Sequence, residues 1–142
     1  MNIKALHANF RMPIKGTDGA GAYDLYMPEE GCVYKDEPEG VMIGLGFSAA
    51  VPKGHVALLL PRSGAGAKFG VALNNTCGVI DSDYRGEWMV SIRLHNETPF
   101  KWNAGDRLFQ MLIVPVADVS LDLVDELDDT SRGAGGFGSS GK

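Results

Sequence analysis

The chain has 142 residues, 44% apolar and 22% charged, a length suited to one domain with a real core rather than two small ones. Its net charge is -5, and six of the eighteen acids fall between Asp118 and Asp129, so no basic field draws in a nucleic-acid backbone and stable nucleic-acid binding is not expected. Two cysteines, Cys32 and Cys77, make no disulfide framework or zinc spacing, and no apolar run matches a signal peptide or a bilayer span, so a soluble cytoplasmic protein without a membrane partner is expected.

In chain order, Ala20 to Tyr26 is the first segment of unusual chemistry, with Asp24 between two tyrosines. Val41, Ile43, Leu45 and Phe47 then alternate with other residues at a period of two, the mark of a half-buried strand. Apolar runs follow at His55 to Leu60, Val71 to Leu73, Gly78 to Ile80 and Leu108 to Val116, and Trp88, Val90, Ile92 and Leu94 alternate with Met89, Ser91, Arg93 and His95. Turn signals such as Pro52-Lys53-Gly54 and Asn103-Ala104-Gly105-Asp106 separate them. Only Ser63 to Phe69 could hold a helical turn or two. Short, numerous strands tend to close on themselves because open edges invite aggregation, so the expected fold is all-β, a jelly-roll-like barrel with low helix content. That barrel is expected to occupy residues 1-130, followed by a glycine-rich C-terminal segment at 131-142.

Composition alone makes Ser131 to Lys142 a disordered tail. Yet Arg132, Phe137, Ser139 and Ser140, set among glycines, are the parts needed to grip a phosphate, cover an aromatic base and add hydrogen bonds. Four of the six arginines lie in the chemically dense segments, so an acidic chain has put its guanidinium groups where a polyanion would bind.

Five segments in order, Ala20 to Tyr26, Pro61 to Lys68, Gly78 to Gly86, Gly105 to Met111 and the tail, resemble the five motifs of the trimeric deoxyuridine triphosphatase (dUTPase) family. The resemblance spans about Ala20 to Gly141, and it is the order and spacing of all five that make it specific. It implies a dUTPase-like β-clip fold and a dUTP diphosphatase. Such an enzyme hydrolyses dUTP to dUMP and pyrophosphate by water attack on the α-phosphorus, with Mg2+, in a homotrimer whose sites lie between subunits. That reaction limits uracil in DNA and supplies dUMP for thymidylate synthesis.

By the same resemblance, Asp81 orients the attacking water, as an ionised carboxylate in line with the phosphorus can. Asp81 could equally start a turn. Tyr84 packs under the deoxyribose and rejects a 2′-hydroxyl, or else fills core space. Asn75 and the backbone of Gly78 and Ile80 read uracil from a β-hairpin, pairing with its donor between two acceptors as a base would. Asn74 lies next door and competes for that assignment. Arg62, Ser63 and Gly64 bind the α- and β-phosphates with a charged fork, a hydroxyl and a backbone N–H. Gln110 sits near the phosphates, although by itself it reads as a polar residue satisfying a neighbour. Asp24 holds the magnesium through water, or is a buried acid bonded to backbone or arginine. Arg132 meets the γ-phosphate, Phe137 stacks on uracil, and Gly138, Ser139 and Ser140 complete a lid that excludes water. Arg85 and Arg107 read as structural, pairing with Asp83, Glu87 or Asp24 across the trimer.

Ala22, the pair Ala65-Gly66 and Ser140 depart from commoner family choices, each keeping its position small and Ser140 keeping the hydroxyl. Two alternatives share the fold: a dCTP deaminase-related enzyme, and a non-catalytic nucleotide-sensing or protein-binding trimer.

Overall fold

A computed structural model describes residues 1–37 and 40–136. Eleven strands carry the fold among these residues: β1 Asn2–Ala5, β2 Tyr23–Tyr26, β3 Gly31–Val33, β4 Val41–Gly44, β5 Phe47–Ala50, β6 His55–Pro61, β7 Val71–Leu73, β8 Gly78–Ile80, β9 Met89–Leu94, β10 Phe100–Trp102 and β11 Arg107–Pro115. All pairings are antiparallel, in a four-stranded sheet of order β2-β11-β6-β8, a three-stranded sheet β4-β9-β7, and two ribbons, β1-β5 and β3-β10. Helix is limited to one wide π-type turn, Gly64–Lys68, inside the Ser63 to Phe69 segment. No helix among the described residues is long and apolar enough to cross a membrane.

The sheets enclose one core. Leu25, Leu59, Phe109 and Met111 enter it from the four-stranded sheet, and Val71, Leu73, Val90, Ile92 and Leu94 from the three-stranded one. Trp88 and Phe47 stack between them at 5.1 Å centroid separation, a spacing at which tilted aromatic rings attract. Burying a large apolar side chain in this way stabilises by roughly 1.5–3 kcal/mol each.

The alternation from Trp88 to Leu94 is β9 with Val90, Ile92 and Leu94 inward. The alternation from Val41 to Phe47, by contrast, is two strands rather than one. Gly46 has φ of 75°, a left-handed turn that L side chains disfavour and glycine permits, and the chain there leaves β9 for β1. A second departure concerns the β-hairpin expected to carry Asn75, Gly78 and Ile80. β7 pairs with β9 and β8 with β6, so residues 74–77 turn a corner between sheets. Thr76 takes φ of 66° within that corner.

β11 contains a β-bulge. Its register against β2 runs Arg107↔Tyr26 and then Phe109↔Leu25, which leaves Leu108 as the extra residue. Strict alternation would put Arg107 on the inward face with Phe109 and Met111. The extra residue turns it to the outer face instead, alongside Tyr26, Asp24 and Gln110.

Beyond β11 the backbone leaves the sheets. Val116 N–H donates to Gly54 O at 2.9 Å, and past it no hydrogen bond among the described residues ties the chain to the body. Leu121, Leu123 and Leu127 are 92%, 103% and 86% exposed.

Candidate functional site

One cluster grows from the outer face of the four-stranded sheet. Gln110 lies directly across from Asp24 in the β11–β2 register, and β6 ends at Pro61, feeding Arg62 and Ser63 onto the same face. Asp24 is buried, and its carboxylate accepts from two guanidinium groups. Arg62 Nε meets Oδ1 at 2.9 Å, and Arg107 Nη1 meets Oδ2 at 3.1 Å. Buried acids are found paired in this way because an unpaired charge out of water is costly. Two guanidinium groups against one carboxylate leave one positive charge over, which suits a polyanion.

The loop after β6 is clamped to β11. Arg62 N–H donates to Leu108 O at 2.8 Å, Arg62 Nη1 to Arg107 O at 3.0 Å, and Gln110 Nε2 to Pro61 O at 3.2 Å. Three backbone-directed bonds hold the Arg62–Ser63 pair, while Ser63 stays exposed and makes no capping hydrogen bond to the turn after it. The cluster opens into a cleft of about 510 Å³ lined by Thr17, Gly21, Asp24, Arg62, Ser63 and Gln110. Gln110 is therefore both at the cleft and a structural donor, and Asp24 is the arginine-bound acid that its residue type allows.

A second cluster surrounds β8. As the last strand of its sheet, β8 turns half of its N–H and C=O groups away from β6. Asn74 and Asn75 divide clearly. Asn74 Nδ2 donates to Ser91 Oγ at 2.8 Å and is committed to the fold, whereas Asn75 is exposed. After Ile80, Tyr84 N–H donates to Asp81 O at 3.2 Å, so Asp81 does begin a turn. Its carboxylate is exposed and has no hydrogen-bond or ion-pair partner among the described residues. Tyr84 is 43% exposed, which removes the core-filling role within a single chain. Its hydroxyl donates to Glu87 O at 3.0 Å, and its ring lies over Gly86, where an added Cβ would stand 2.3 Å from that hydroxyl oxygen. Arg85 donates to Ser82 O and Tyr84 O at 2.8 and 2.9 Å. It braces its own turn through backbone carbonyls, and within this chain it makes no ion pair among the described residues.

The two clusters sit at opposite ends of one strand pair. Leu59 faces Gly78 in the β6–β8 register; Arg62 lies three residues beyond one partner and Asp81 three beyond the other, in opposite directions. Six residue steps amount to about 20 Å. Arg107 meets Asp24 within one chain, so the expected pairing across subunits is not needed. Arg132 is exposed, and among the described residues its Nε donates to Gly135 O at 2.9 Å, inside its own turn. Phe137, Gly138, Ser139 and Ser140 lie outside the described residues. Periodicity assigned Arg107 no place at this face, because a bulge leaves no mark in the spacing of apolar residues.

Similarity to known proteins extends along nearly the whole chain. The family model for dUTPase matches residues 8–141. A deoxyuridine 5′-triphosphate nucleotidohydrolase of Hahella chejuensis is 43% identical over 140 residues, covering 97% of this chain and 91% of that protein. One from Paraburkholderia xenovorans is 41% identical over 146 residues, covering 100% and 98%. Among solved structures, the dUTPase of Staphylococcus bacteriophage 80alpha with dUPNHPP superposes with a TM-score of 0.88 at 25% identity, over 99% of this chain and 98% of that one. A dUTPase of phage phi11, described as revealing how a structural Mg(II) ion is coordinated, has the same fold, with a TM-score of 0.78 at 24% identity over 88% and 96% of the two chains. With an all-β body, a cationic cleft beside Asp24 and an exposed carboxylate after β8, matched from residue 8 to residue 141, the chain belongs to the dUTPase family.

Proposed function

We propose that the protein hydrolyses dUTP to dUMP and pyrophosphate. The observation that carries this reading is the division of the site into a cationic, hydroxyl-bearing cleft at Arg62–Ser63 and an uncommitted carboxylate, Asp81, beside the exposed edge of β8. Asn75 and the backbone of Gly78 and Ile80 read the base, and Tyr84 excludes a 2′-hydroxyl. Arg62, Ser63 and the Gly64 N–H grip the α- and β-phosphates, with Gln110 holding their loop. Asp81 accepts a proton from the water whose oxygen attacks the α-phosphorus. The bond from that phosphorus to the α,β-bridging oxygen breaks, and its electron pair leaves on pyrophosphate.

One substrate needs both clusters near its α-phosphorus, which a backbone separation of about 20 Å within one chain does not favour. The cleft and Asp81 therefore come from different copies, consistent with the homotrimer of the family. Nearly bare Leu121, Leu123 and Leu127 support an arm, residues 117–130, that lies against another copy and carries the 131–142 lid to it.

Magnesium fits this site only in a limited way. The described residues hold no group of three or more metal-ligating side chains, and Asp24 already serves two arginines. Each of its oxygens keeps a lone pair for a metal-bound water, and magnesium characteristically takes its remaining ligands from substrate phosphates. Bound in that way, the ion would neutralise charge on the triphosphate.

Incubating the protein with Mg2+ and each of dUTP, dCTP, dTTP and UTP tests the proposal. Pyrophosphate release from dUTP at least about 10²-fold faster than from dCTP is expected, since a site built to pair uracil leaves polar groups unpaired with cytosine, and slower release from UTP is expected because Tyr84 excludes the 2′-hydroxyl. Equal release from dCTP, deamination of the base, or no turnover would overturn it. Gly86→Ala tests the sugar contact, because its Cβ must displace the Tyr84 ring. The ratio of kcat/KM for dUTP over UTP is expected to fall about tenfold, the effect of about 1.4 kcal/mol. An unchanged ratio would remove Tyr84 from sugar selection.

A further inference from the structure

We propose that Arg107 is a positioning residue that holds Asp24 so that Arg62 presents its free N–H groups to the phosphates. This inference rests on the dUTP reading of the cleft and names a part of the machinery beyond it. Arg62 uses Nε on Asp24 Oδ1 and Nη1 on Arg107 O, which leaves its other N–H groups for a ligand. The fork can hold that attitude only if the Asp24 carboxylate is fixed, and the second oxygen is fixed by Arg107 Nη1 at 3.1 Å. Arg107 is itself supported: its guanidinium lies 6.0 Å from the centre of the Tyr26 ring, and Arg11 lies 5.7 Å from the same ring.

Backbone geometry says the same thing independently. Without the bulge at Leu108, Arg107 would point inward with Phe109; with it, Arg107, Tyr26, Asp24 and Gln110 share one face. Bulges commonly re-aim a side chain beside an active site. The residue thus touches no substrate yet governs two things at the cleft, the attitude of Arg62 and the sign of the local charge. Its removal leaves one guanidinium against one carboxylate, so the surplus positive charge disappears.

The test compares Arg107→Gln and Arg107→Lys with the wild type, alone and in an Asp24→Asn background. It measures dUTP kinetics and the Kd of a non-hydrolysable imido analogue, dUPNHPP. R107Q is expected to raise KM and the analogue Kd about tenfold while kcat stays within about threefold. R107K, which keeps one charged donor, is expected to recover to within about threefold of wild type. In the Asp24→Asn background, R107Q is expected to change the Kd by no more than about threefold, because the carboxylate it positions is gone and only the loss of one positive charge remains. Tyr26→Leu, which removes the ring behind Arg107, is expected to raise KM about threefold and serves if R107Q does not fold. An unchanged KM in R107Q, a loss of kcat and melting temperature with KM unmoved, or a full tenfold effect without Asp24 would overturn the inference. Wild-type protein that fails to bind the analogue would instead overturn the dUTP reading together with it.

Discussion

Replacing Asp81 with asparagine is expected to lower kcat for dUTP about 10³-fold while the Kd of the imido analogue changes less than about threefold. An amide keeps the size and much of the polarity of the carboxylate, so a nucleotide held by Arg62, Ser63 and the β8 edge should hardly notice the exchange. What the amide cannot do is take a proton from water, and general-base assistance is typically worth 10² to 10⁴ in rate. A factor of 10³ corresponds to about 4 kcal/mol of transition-state stabilisation. Stability should be unaffected, because the Asp81 carboxylate has no protein partner among the described residues and its turn is closed by the backbone bond from Tyr84 N–H to Asp81 O. Asp83→Asn is a suitable control, being an exposed acid two residues on. It should stay within about twofold of wild type in kcat and KM. Undiminished turnover in Asp81→Asn would take that residue out of the mechanism, and equal losses in both variants would point to the charge of the loop rather than to a positioned base.

Much of this arrangement can be read from the chain, for reasons that differ by residue. β9 is legible because Val90, Ile92 and Leu94 face a core on one side only, which writes a period of two into the sequence. The strands β1, β3 and β10 escape notice because, unlike the equally short β7 and β8, they mix polar or glycine residues with too few apolar ones to stand out as runs, and β1 is mostly exposed. The stretch from Val41 to Phe47 keeps its alternation across a break, since Gly46 bends the backbone while the side chains on either side still seek the same core. Asn74 and Asn75 have identical side chains and differ only in what surrounds them. Ser91, from the neighbouring strand, captures Asn74, and that is a tertiary fact. Arg107 is the clearest case, because a one-residue slip at Leu108 reverses which face it occupies and composition carries no trace of a slip. The roles expected of Asp81, Arg62 and Tyr84 come from motif order, and the β6–β8 register adds that the first two stand at opposite ends of one strand pair.

That separation makes the C-terminal segment decisive, and deleting Arg132 to Lys142 is expected to lower kcat/KM for dUTP by about 10²-fold or more. The estimate rests on chemistry already argued: one guanidinium for the γ-phosphate, an aromatic ring over uracil, hydroxyls for further phosphate contacts, and closure that keeps water from screening them. Loss of a single well-placed donor to developing negative charge costs roughly 10² to 10³ in rate, and a lid adds to that by excluding solvent. Folding should survive the deletion. Among the described residues the last hydrogen bond from this part of the chain to the sheets is the one from Val116 N–H to Gly54 O, and Arg132 bonds within its own turn to Gly135. Assembly should survive too, because Leu121, Leu123 and Leu127 all precede the cut and would still have a neighbouring copy to cover them. The truncated protein is therefore expected to melt within about 2 °C of the full chain, a shift below what 1 kcal/mol produces in a domain of this size, and to elute at the same oligomeric size. Arg132→Ala then apportions the loss: if it reproduces most of the deletion, the γ-phosphate contact dominates, and if it does not, closure by the remaining residues does. A truncation as active as the full chain would show that 131–142 is a tail and not a lid, and the cleft at Arg62 with the carboxylate at Asp81 would then have to suffice without it.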